Sequence, residues 1–348
     1  MGNPVFGRTI RATIYLTCVM VTSGCGSGIR TILPNPASPV AASEIYVAEE
    51  SNLSGPGSVM QFSASASGIA QPTASLSLPA NLLVLSVGTD SNGLIYVGGR
   101  TTISEILVYA AGSKGLATPI RTITLAATAS FLNPGELTFD SKGNIYIGAD
   151  DRIIVYGPGP GSPTRIITGS LTQIVEINGI AIDTAGQIYV TSGLFGTGSV
   201  LVFSPTATGN VAPDHMITGV GTSNLYGPSG IAIDPNGNLF VAGYLTQTSA
   251  PAQPSSIFEF APGASGFATP MKSISGTNTG LAGVGGLLVD GVGNLYAQVL
   301  TPSTGTTGTT YEPSISVFAS GASGNVTAIR SFSSPAWTSP VYAQFGLF

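Results

Sequence analysis

The chain has 348 residues, of which 43% are hydrophobic and only 8% are charged, and it contains 47 Gly and 24 Pro. This composition excludes a helical bundle, which needs more charged helix formers, and an intrinsically disordered chain, which lacks the apolar side chains of a core. Because 11 Lys and Arg face 16 Asp and Glu, the chain also lacks the basic surface of a nucleic-acid-binding protein, and we expect no nucleic-acid partner.

The first 24 residues have the pattern of a secretory signal peptide. Arg8 and Arg11 precede an apolar run over 12–22, and small residues then lead to Cys25. The run is shorter than the roughly 20 residues of a membrane-spanning helix, so we expect no span in the mature protein. The segment Thr22-Ser-Gly-Cys25 resembles a bacterial lipobox, which implies lipid attachment at Cys25 and contact with the membrane only through that anchor. Ordinary signal cleavage without lipidation is the alternative.

Residues 25–43 are predicted to be a flexible tether, because Gly, Pro, Ser and Ala dominate there. Cleavage before Cys25 would remove Cys18 and leave no disulfide. Gly26 follows the Cys, whereas lipoproteins retained in the inner membrane favour Asp at that position. The resemblance therefore implies an exported protein of the outer membrane or cell surface. A periplasmic or extracellular location is the alternative.

Six copies of one sequence unit occupy residues 44–348. Each copy contains an aromatic residue in an apolar segment, at positions 46, 96, 146, 189, 240 and 296. The intervals of 50, 50, 43, 51 and 56 residues suit a four-stranded blade. In five copies an Asp-x-x-Gly element such as Asp183-Thr-Ala-Gly186 precedes the aromatic residue. It is typical of a hairpin turn in which Asp accepts backbone N–H bonds and Gly takes a positive φ.

Each unit contains four segments that predict β-strands. The first ends at the Asp, as in Gly179–Asp183, and the second carries the aromatic residue. The third is exemplified by Val200–Phe203 and the fourth by Pro163–Ile167. Six such units predict an all-β, six-bladed β-propeller of four-stranded antiparallel blades. Because the first unit lacks its first strand and Pro340–Phe345 has no partner, we predict that the C-terminal strand joins the N-terminal blade and closes the ring.

The unit resembles the NHL repeat of six-bladed propellers. The resemblance rests on the pattern Gly-Ile-Ala-Ile-Asp-x-x-Gly-Asn-Ile-Tyr-Val followed by Ile-x-Val-Phe, and it covers residues 44–348. The NHL repeat often continues as Ala-Asp-x-x-Asn-x-Arg-Ile, and only Asp150-Asp-Arg-Ile153 is similar to this continuation. The resemblance therefore implies the fold but no particular subfamily.

Few residues of the chain have the chemistry of a catalyst, and we assign no catalytic residue. The one histidine, His215, aligns with basic residues of other fourth strands and is interpreted as structural. One His without a thiol cluster does not provide the ligands of a zinc site. Five Asp residues recur at the same turn and are interpreted as turn formers instead of a calcium ring; they are Asp90, Asp140, Asp183, Asp234 and Asp290.

The face that carries the loops after the second and fourth strands is the predicted ligand face. Its candidate residues are Glu49, Glu50, Arg100, Asp150, Asp151, Arg152, Glu176, Tyr226 and Tyr244. The segments Gly243–Ser255 and Val299–Pro313 are rich in Ser, Thr, Gly and Pro and are predicted to be long loops over this face. No metal site is assigned, and a divalent cation such as calcium is the one cofactor that these carboxylates could bind. Solvated loop charges without a ligand are the alternative.

Two functions remain open. The first is a monomeric, envelope-tethered, non-enzymatic binding or scaffolding module for a protein or glycan partner of the cell envelope. The second is a metal-assisted lactonase, esterase or lyase, by analogy with six-bladed propellers that hold a cation in the central channel. Converging carboxylates would favour the second function, whereas an apolar, Gly-lined channel would favour the first.

Overall fold

The computed structural model describes residues 44–49, 56–125, 132–193, 198–221, 223–245, 255–305, 308–337 and 344–347. The predicted signal peptide, the tether with Cys25, and Glu50 lie outside these ranges. Within them, no helix has the length and apolar character needed to cross a membrane.

The described residues form 27 strands and two short 3-10 helices, Ser170–Thr172 and Thr277–Thr279. In chain order the strands are β1 (Glu44–Glu49), β2 (Ser58–Ser63), β3 (Gly68–Ile69), β4 (Ala74–Ser77), β5 (Leu83–Thr89), β6 (Ile95–Arg100), β7 (Ser104–Tyr109), β8 (Arg121–Thr124), β9 (Pro134–Phe139), β10 (Ile145–Ala149), β11 (Arg152–Tyr156), β12 (Arg165–Ile167), β13 (Ile177–Ile182), β14 (Ile188–Ser192), β15 (Ser199–Phe203), β16 (His215–Val220), β17 (Ser223–Asn224), β18 (Ile231–Ile233), β19 (Leu239–Gly243), β20 (Ser256–Phe260), β21 (Gly266–Ala268), β22 (Lys272–Ile274), β23 (Val284–Val289), β24 (Leu295–Gly305), β25 (Gly308–Phe318), β26 (Arg330–Ser333) and β27 (Gln344–Leu347).

These strands build six antiparallel blades, each with four main strands. Blade 1 has the order β27-β1-β2-β4, blade 2 is β5-β6-β7-β8, and blade 3 is β9-β10-β11-β12. Blade 4 is β13-β14-β15-β16, blade 5 is β18-β19-β20-β22, and blade 6 is β23-β24-β25-β26. The predicted six-bladed propeller is confirmed, and the aromatic residue of every repeat lies on the second strand of its blade.

The C-terminal strand closes the ring. β27 pairs antiparallel with β1, so that Val47 lies opposite Phe345 and Ala48 opposite Gln344. It supplies the inner strand that the first repeat lacks, which confirms the predicted closure. The pairing strand lies nearer to the C-terminus than the predicted segment Pro340–Phe345.

The first hairpin of five blades closes on an Asp turn, as the Asp-x-x-Gly element predicts. In blade 6 the backbone N–H groups of Val292 and Asn294 donate to Asp290 Oδ1 at 3.1 and 2.8 Å. Gly293 takes a φ of +86°, which a side chain would disfavour. Four of the turns also accept a bond of 3.2 Å from the hydroxyl of the repeat tyrosine, namely Tyr96, Tyr146, Tyr189 and Tyr296. The recurring Asp residues are therefore engaged in folding the hairpins.

Neighbouring blades are joined by apolar cores and by contacts on the outer rim. The core between blades 2, 3 and 4 includes Ile147 and Phe203, which are fully buried. At five junctions the outer strand of one blade forms a parallel bridge to the next blade, as between Ile167 and Gly209. Between blades 2 and 3 no such bridge occurs among the described residues, and Arg121 instead donates to the Pro158 carbonyl at 2.9 Å. The segment between the third and fourth strands of blade 3, residues 157–164, is shorter than its counterpart in blade 2, residues 110–120, and none of its residues forms a parallel bridge to β8.

Candidate ligand face and central channel

The second strand of each blade ends at one face of the ring, which we call the upper face. Arg100 at the end of β6 pairs with Leu83 at the start of β5, so the first strands begin at this same face. The described candidate residues lie at the ends of second strands, at the starts of third or first strands, or in the loops between blades. The prediction that they share a face is therefore consistent with the strand registers.

Three polar residues form one hydrogen-bonded network across blades 2 and 3. Arg100 donates to Asn133 Oδ1 at 2.9 Å, and Asn133 Nδ2 donates to Asp150 Oδ1 at 2.8 Å. The Asn133 backbone N–H adds a bond of 3.2 Å to Asp150 Oδ2. Asp150 takes a φ of +52°, a left-handed conformation that Asp tolerates better than most residues. Asn133 was not identified from the sequence. The one sequence feature that could have indicated its role is its position directly before β9, the first strand of blade 3.

The remaining acidic candidates do not converge with Asp150 on a common point. Asp151 accepts from Arg152 Nε at 2.9 Å in an exposed ion pair. Glu176 is half-buried, and its backbone carbonyl accepts from the Gly193 N–H at 3.3 Å. Glu49 is buried at the end of β1 on another blade. Across the whole described part of the chain, no three His, Cys, Asp or Glu side chains are grouped as metal ligands would be.

The two candidate tyrosines are brought together by backbone pairing. The N–H of each of Tyr226 and Tyr244 donates to the carbonyl of the other at 2.9 Å. Asn224 Nδ2 donates to the Tyr226 hydroxyl at 3.2 Å. A Cβ atom placed on Gly283 would lie 3.3 Å from the Leu300 carbonyl and 3.8 Å from the Tyr244 hydroxyl, so Tyr244 stands beside the base of the β24–β25 hairpin. Both rings are half-buried and retain exposed surface.

The predicted loop Val299–Pro313 is wrong, because the segment continues β24 and β25 as a long hairpin. Each of these strands has 11 residues, whereas the second strands of the other blades have five or six. At about 3.3 Å per residue, the extension carries the hairpin about 20 Å beyond the blade. Thr and Tyr favour strands, and Pro is tolerated where a strand has a free edge. The other predicted loop, Gly243–Ser255, lies mostly outside the described residues.

A cavity of about 120 Å³ lies in the central channel, between the inner strands of blades 3, 4, 5 and 6. Its wall includes Gly179, Gly230 and Ile231, and most of its exposed surface is polar. Glu136 on β9 is the one charged residue of this lining. It is 2% exposed, and its Oε1 atom has no hydrogen-bond partner. Burial raises the pKa of the Glu136 carboxyl well above its ordinary value.

Sequence analysis did not identify Glu136, although the repeat contains a signal. Glu136 stands four residues before the turn residue Asp140. The residues at the same place in other blades are Ser86, Gly179, Gly230 and Gly286. A lone charged residue at a position that otherwise holds Gly or Ser marks this blade as different.

The fold places the chain in the class of six-bladed β-propellers. No family model and no curated protein matches the chain. A crystal structure of a protein of unknown function from Bacteroides caccae is similar over 88% of this chain and 99% of that chain, with a TM-score of 0.57 and 12% identity. The β-propeller domain of Cps50 (Swd1) from Myceliophteria thermophila matches over 72% of this chain and 76% of that chain, with a TM-score of 0.46 and 9% identity. The similarity to the first structure is one of fold alone.

Proposed function

We propose that the protein is an exported, envelope-tethered propeller of the NHL type that binds a protein or glycan partner at its upper face and has no enzymatic activity. The observation that carries this proposal is the β24–β25 hairpin, which extends the upper face beside the Tyr226 and Tyr244 pair. A long protruding hairpin next to two partly exposed tyrosines provides contact area that a merely structural blade does not need.

The contacts of the upper face support binding by a preformed surface. Arg100, Asn133 and Asp150 hold one another in place across two blades. The tyrosines are held by two backbone hydrogen bonds to each other, which continue the pairing of β18 with β19 in blade 5. Side chains that are already held in position lose little conformational entropy when a partner binds.

The metal-assisted alternative receives less support. A calcium ion requires about six to eight oxygen ligands, usually from several carboxylates. Asp150 is bound to Asn133, and Asp151 is bound to Arg152. The described channel lining contributes the single carboxyl of Glu136 among glycines and aliphatic residues. The binding function is therefore the better supported of the two.

The tethering part of the proposal is supported by the sequence around Cys25 and is tested by mass spectrometry. The intact mass of the purified exported protein should equal that of a chain beginning at Cys25 with a diacylglyceryl group. Cys25→Ser should remove the lipid mass and release the protein from the membrane fraction. An unmodified chain that begins elsewhere would contradict the tether without bearing on the propeller's binding function.

The binding part is tested by site-specific photo-crosslinking in the native host. A photoreactive residue at the exposed Thr301 on the hairpin should give a discrete crosslinked partner. The same residue at the exposed Lys114, which lies between the third and fourth strands of blade 2, is the matched control. A second variant replaces residues 300–313 by a two-residue turn and should lose the partner while keeping the melting temperature of its parent. Equal crosslinking from Thr301 and Lys114, or retention of the partner by the shortened hairpin, would refute the proposal.

A further inference from the structure

The outer strand of blade 2, β8, has a free backbone edge. The N–H of Leu125 donates to the Ser104 carbonyl of blade 2 at 2.9 Å. Because the bonded pairs of an antiparallel ladder alternate, the backbone groups of Thr122 and Thr124 point away from β7. Within the described ranges, no group bonds to the Thr122 carbonyl or to the Thr124 N–H. Both residues are exposed, so this edge is accessible.

The other five blades cover the same edge with a glycine of the next blade. In blade 1 the Gly115 N–H donates to the Ser75 carbonyl at 2.7 Å, and the Gly115 carbonyl accepts from the Ser77 N–H at 2.8 Å. These two groups correspond to the free groups of β8. The glycines that lie at this place in parallel bridges are Gly68, Gly115, Gly209, Gly266 and Gly324. The fold therefore normally adds a parallel backbone segment at the outer edge.

Blade 3 contacts β8 without bonding to either free group. The Arg121 side chain donates to the Pro158 carbonyl at 2.9 Å, and the Tyr156 hydroxyl donates to the Thr124 carbonyl at 3.4 Å. An uncovered edge with Thr and Ile, which favour strands, can recruit another extended segment. Such an added strand binds through backbone hydrogen bonds. The β8 edge thus has the properties of a strand-addition site.

The chain contains a matching segment in the predicted tether. Residues 29–32 have the sequence Ile-Arg-Thr-Ile, which is identical to that of residues 120–123 at β8. Pro34 follows closely and would end a strand there. The segment has the sequence of a fourth strand but no blade of its own, because β26 is already the outer strand of blade 6. This match selects residues 29–32 as the occupant of the edge.

The tether is long enough to bring this segment to β8. Residues 33–43 connect it to Glu44 at the start of β1, and when fully extended they span about 36 Å. β1 contacts β5, so blade 2 is next to the blade that the tether enters. With about 10 Å between packed sheets and about 4.8 Å between strands, β8 lies roughly 20 Å from β1. A second copy of the chain is not needed to supply the strand.

We propose that residues 29–32 add to the free edge of β8 as a fifth strand of blade 2. One residue of the segment donates its N–H to the Thr122 carbonyl and accepts from the Thr124 N–H, as Gly115 does in blade 1. The added strand does not depend on lipid attachment. In the tethered protein of the proposed function, it would leave residues 26–28 between Cys25 and the ring, so blade 2 would be held near the membrane.

The test is amide hydrogen exchange of Thr124 in the purified exported chain, in mild detergent and with single-residue resolution by mass spectrometry. Replacing residues 29–32 by Gly-Ser-Gly-Ser should make the Thr124 amide exchange at least about tenfold faster than in the wild type. The same replacement at residues 35–38 is the matched control and should leave the rate unchanged. The Ser77 amide, which Gly115 protects in every variant, is the internal reference.

A second measurement identifies the source of the strand. A photoreactive residue in place of Thr31 should crosslink to the peptide that contains β8 within the same molecule. In a mixture of light and heavy isotopic chains, the crosslinked products should therefore be entirely light or entirely heavy. Intact masses establish that the mature chain retains residues 29–32, and melting temperatures establish that all variants are folded.

Each contrary result overturns the proposal in a different way. Equal Thr124 exchange in the wild type and both variants would show that the segment does not cover the edge. Faster exchange in the 35–38 variant as well would show that the sequence of residues 29–32 is not what is recognised. Mixed light and heavy crosslinks would assign the strand to a second copy, and a mature chain that begins after Ile32 would exclude it. A chain without lipid on Cys25 would contradict the tether alone.

Discussion

Gly148 on β10 lies directly opposite Glu136 on β9, and a Cβ atom on Gly148 would lie 2.7 Å from the Glu136 Cβ. The same added atom would lie 2.8 Å from Ile177 on the next blade. The buried acid is therefore accommodated because its partner across the strand pair has no side chain. Position and space for Glu136 depend on this one glycine.

Gly148→Ala should destabilise the protein by about 1–3 kcal/mol, because the new methyl group overpacks the contact with Glu136 and Ile177. Thermal unfolding measures this effect. Gly135→Ala is the matched control on the adjacent strand, since its added atom would have one neighbour, the Asn133 carbonyl, at 3.8 Å. Comparable losses in both variants would show that the steric argument is wrong.

Glu136→Gln should increase the free energy of unfolding at neutral pH. Burial raises the pKa of Glu136 in the folded protein, so the folded state retains a proton that the unfolded state loses above its ordinary pKa. The contribution of Glu136 to stability is thus complete in acid and declines as pH rises. We expect the variant to gain on the order of 1–2 kcal/mol at pH 7 and little at pH 4. Urea unfolding at the two pH values measures this, and a gain that is larger in acid would contradict it.

Tyr189→Phe should cost about 0.5–1.5 kcal/mol at neutral pH, because it removes the bond of 3.2 Å from the hydroxyl to Asp183 Oδ2. Burial, the Asp183 charge and this bond raise the pKa of Tyr189 to about 12. Above a pH of about 10 the unfolded tyrosine ionises while the folded one keeps its proton, so the stabilising effect diminishes. Denaturant unfolding between pH 7 and 11 should show the two proteins converging.

Blade 5 offers the reciprocal test, since Phe240 occupies the tyrosine position of that repeat. Phe240→Tyr should place a hydroxyl near Asp234 and gain about 0.5–1 kcal/mol. A loss of stability in this variant would mean that the tyrosine bond contributes little on its own.

Arg165→Met should loosen the junction between blades 3 and 4. Its Nη1 atom donates to the Pro205 carbonyl at 2.6 Å and to the Ala207 carbonyl at 3.1 Å, and Nη2 donates to the Tyr146 hydroxyl at 3.1 Å. We expect a loss of about 1–3 kcal/mol and faster hydrogen exchange along β12. Arg121→Met removes one described bond instead of three and should have a smaller effect. Equal effects of the two changes would contradict this reading of the contacts.

Deleting residues 344–348 should open the ring and abolish cooperative unfolding, because β1 then loses its inner partner. Differential scanning calorimetry should show a broadened transition at lower temperature. Replacing Gln344 by Ala, which keeps the backbone pairing with Ala48, is the control and should change the melting temperature by less than about 2 °C. A truncated protein with an unchanged transition would refute the closure.

The architecture could be predicted from the sequence because each blade repeats the same local chemistry. The turn at Asp290 and Gly293, for example, requires Asp as an acceptor and Gly for its positive φ, and both are visible without coordinates. The hairpin over 299–313 was misread because composition alone does not distinguish a Thr-rich strand from a loop. Glu136 was missed because its burial opposite Gly148 is evident only from three-dimensional packing.

The pairing of β27 with β1 has a consequence for biosynthesis. In the order of synthesis β1 precedes every other described strand, whereas its partner β27 follows all of them. The blades between them can stack in order as they emerge, but β1 remains an exposed edge until β27 is made. Copies truncated before β27 therefore keep an unpaired strand edge, in a form that chaperones and proteases recognise.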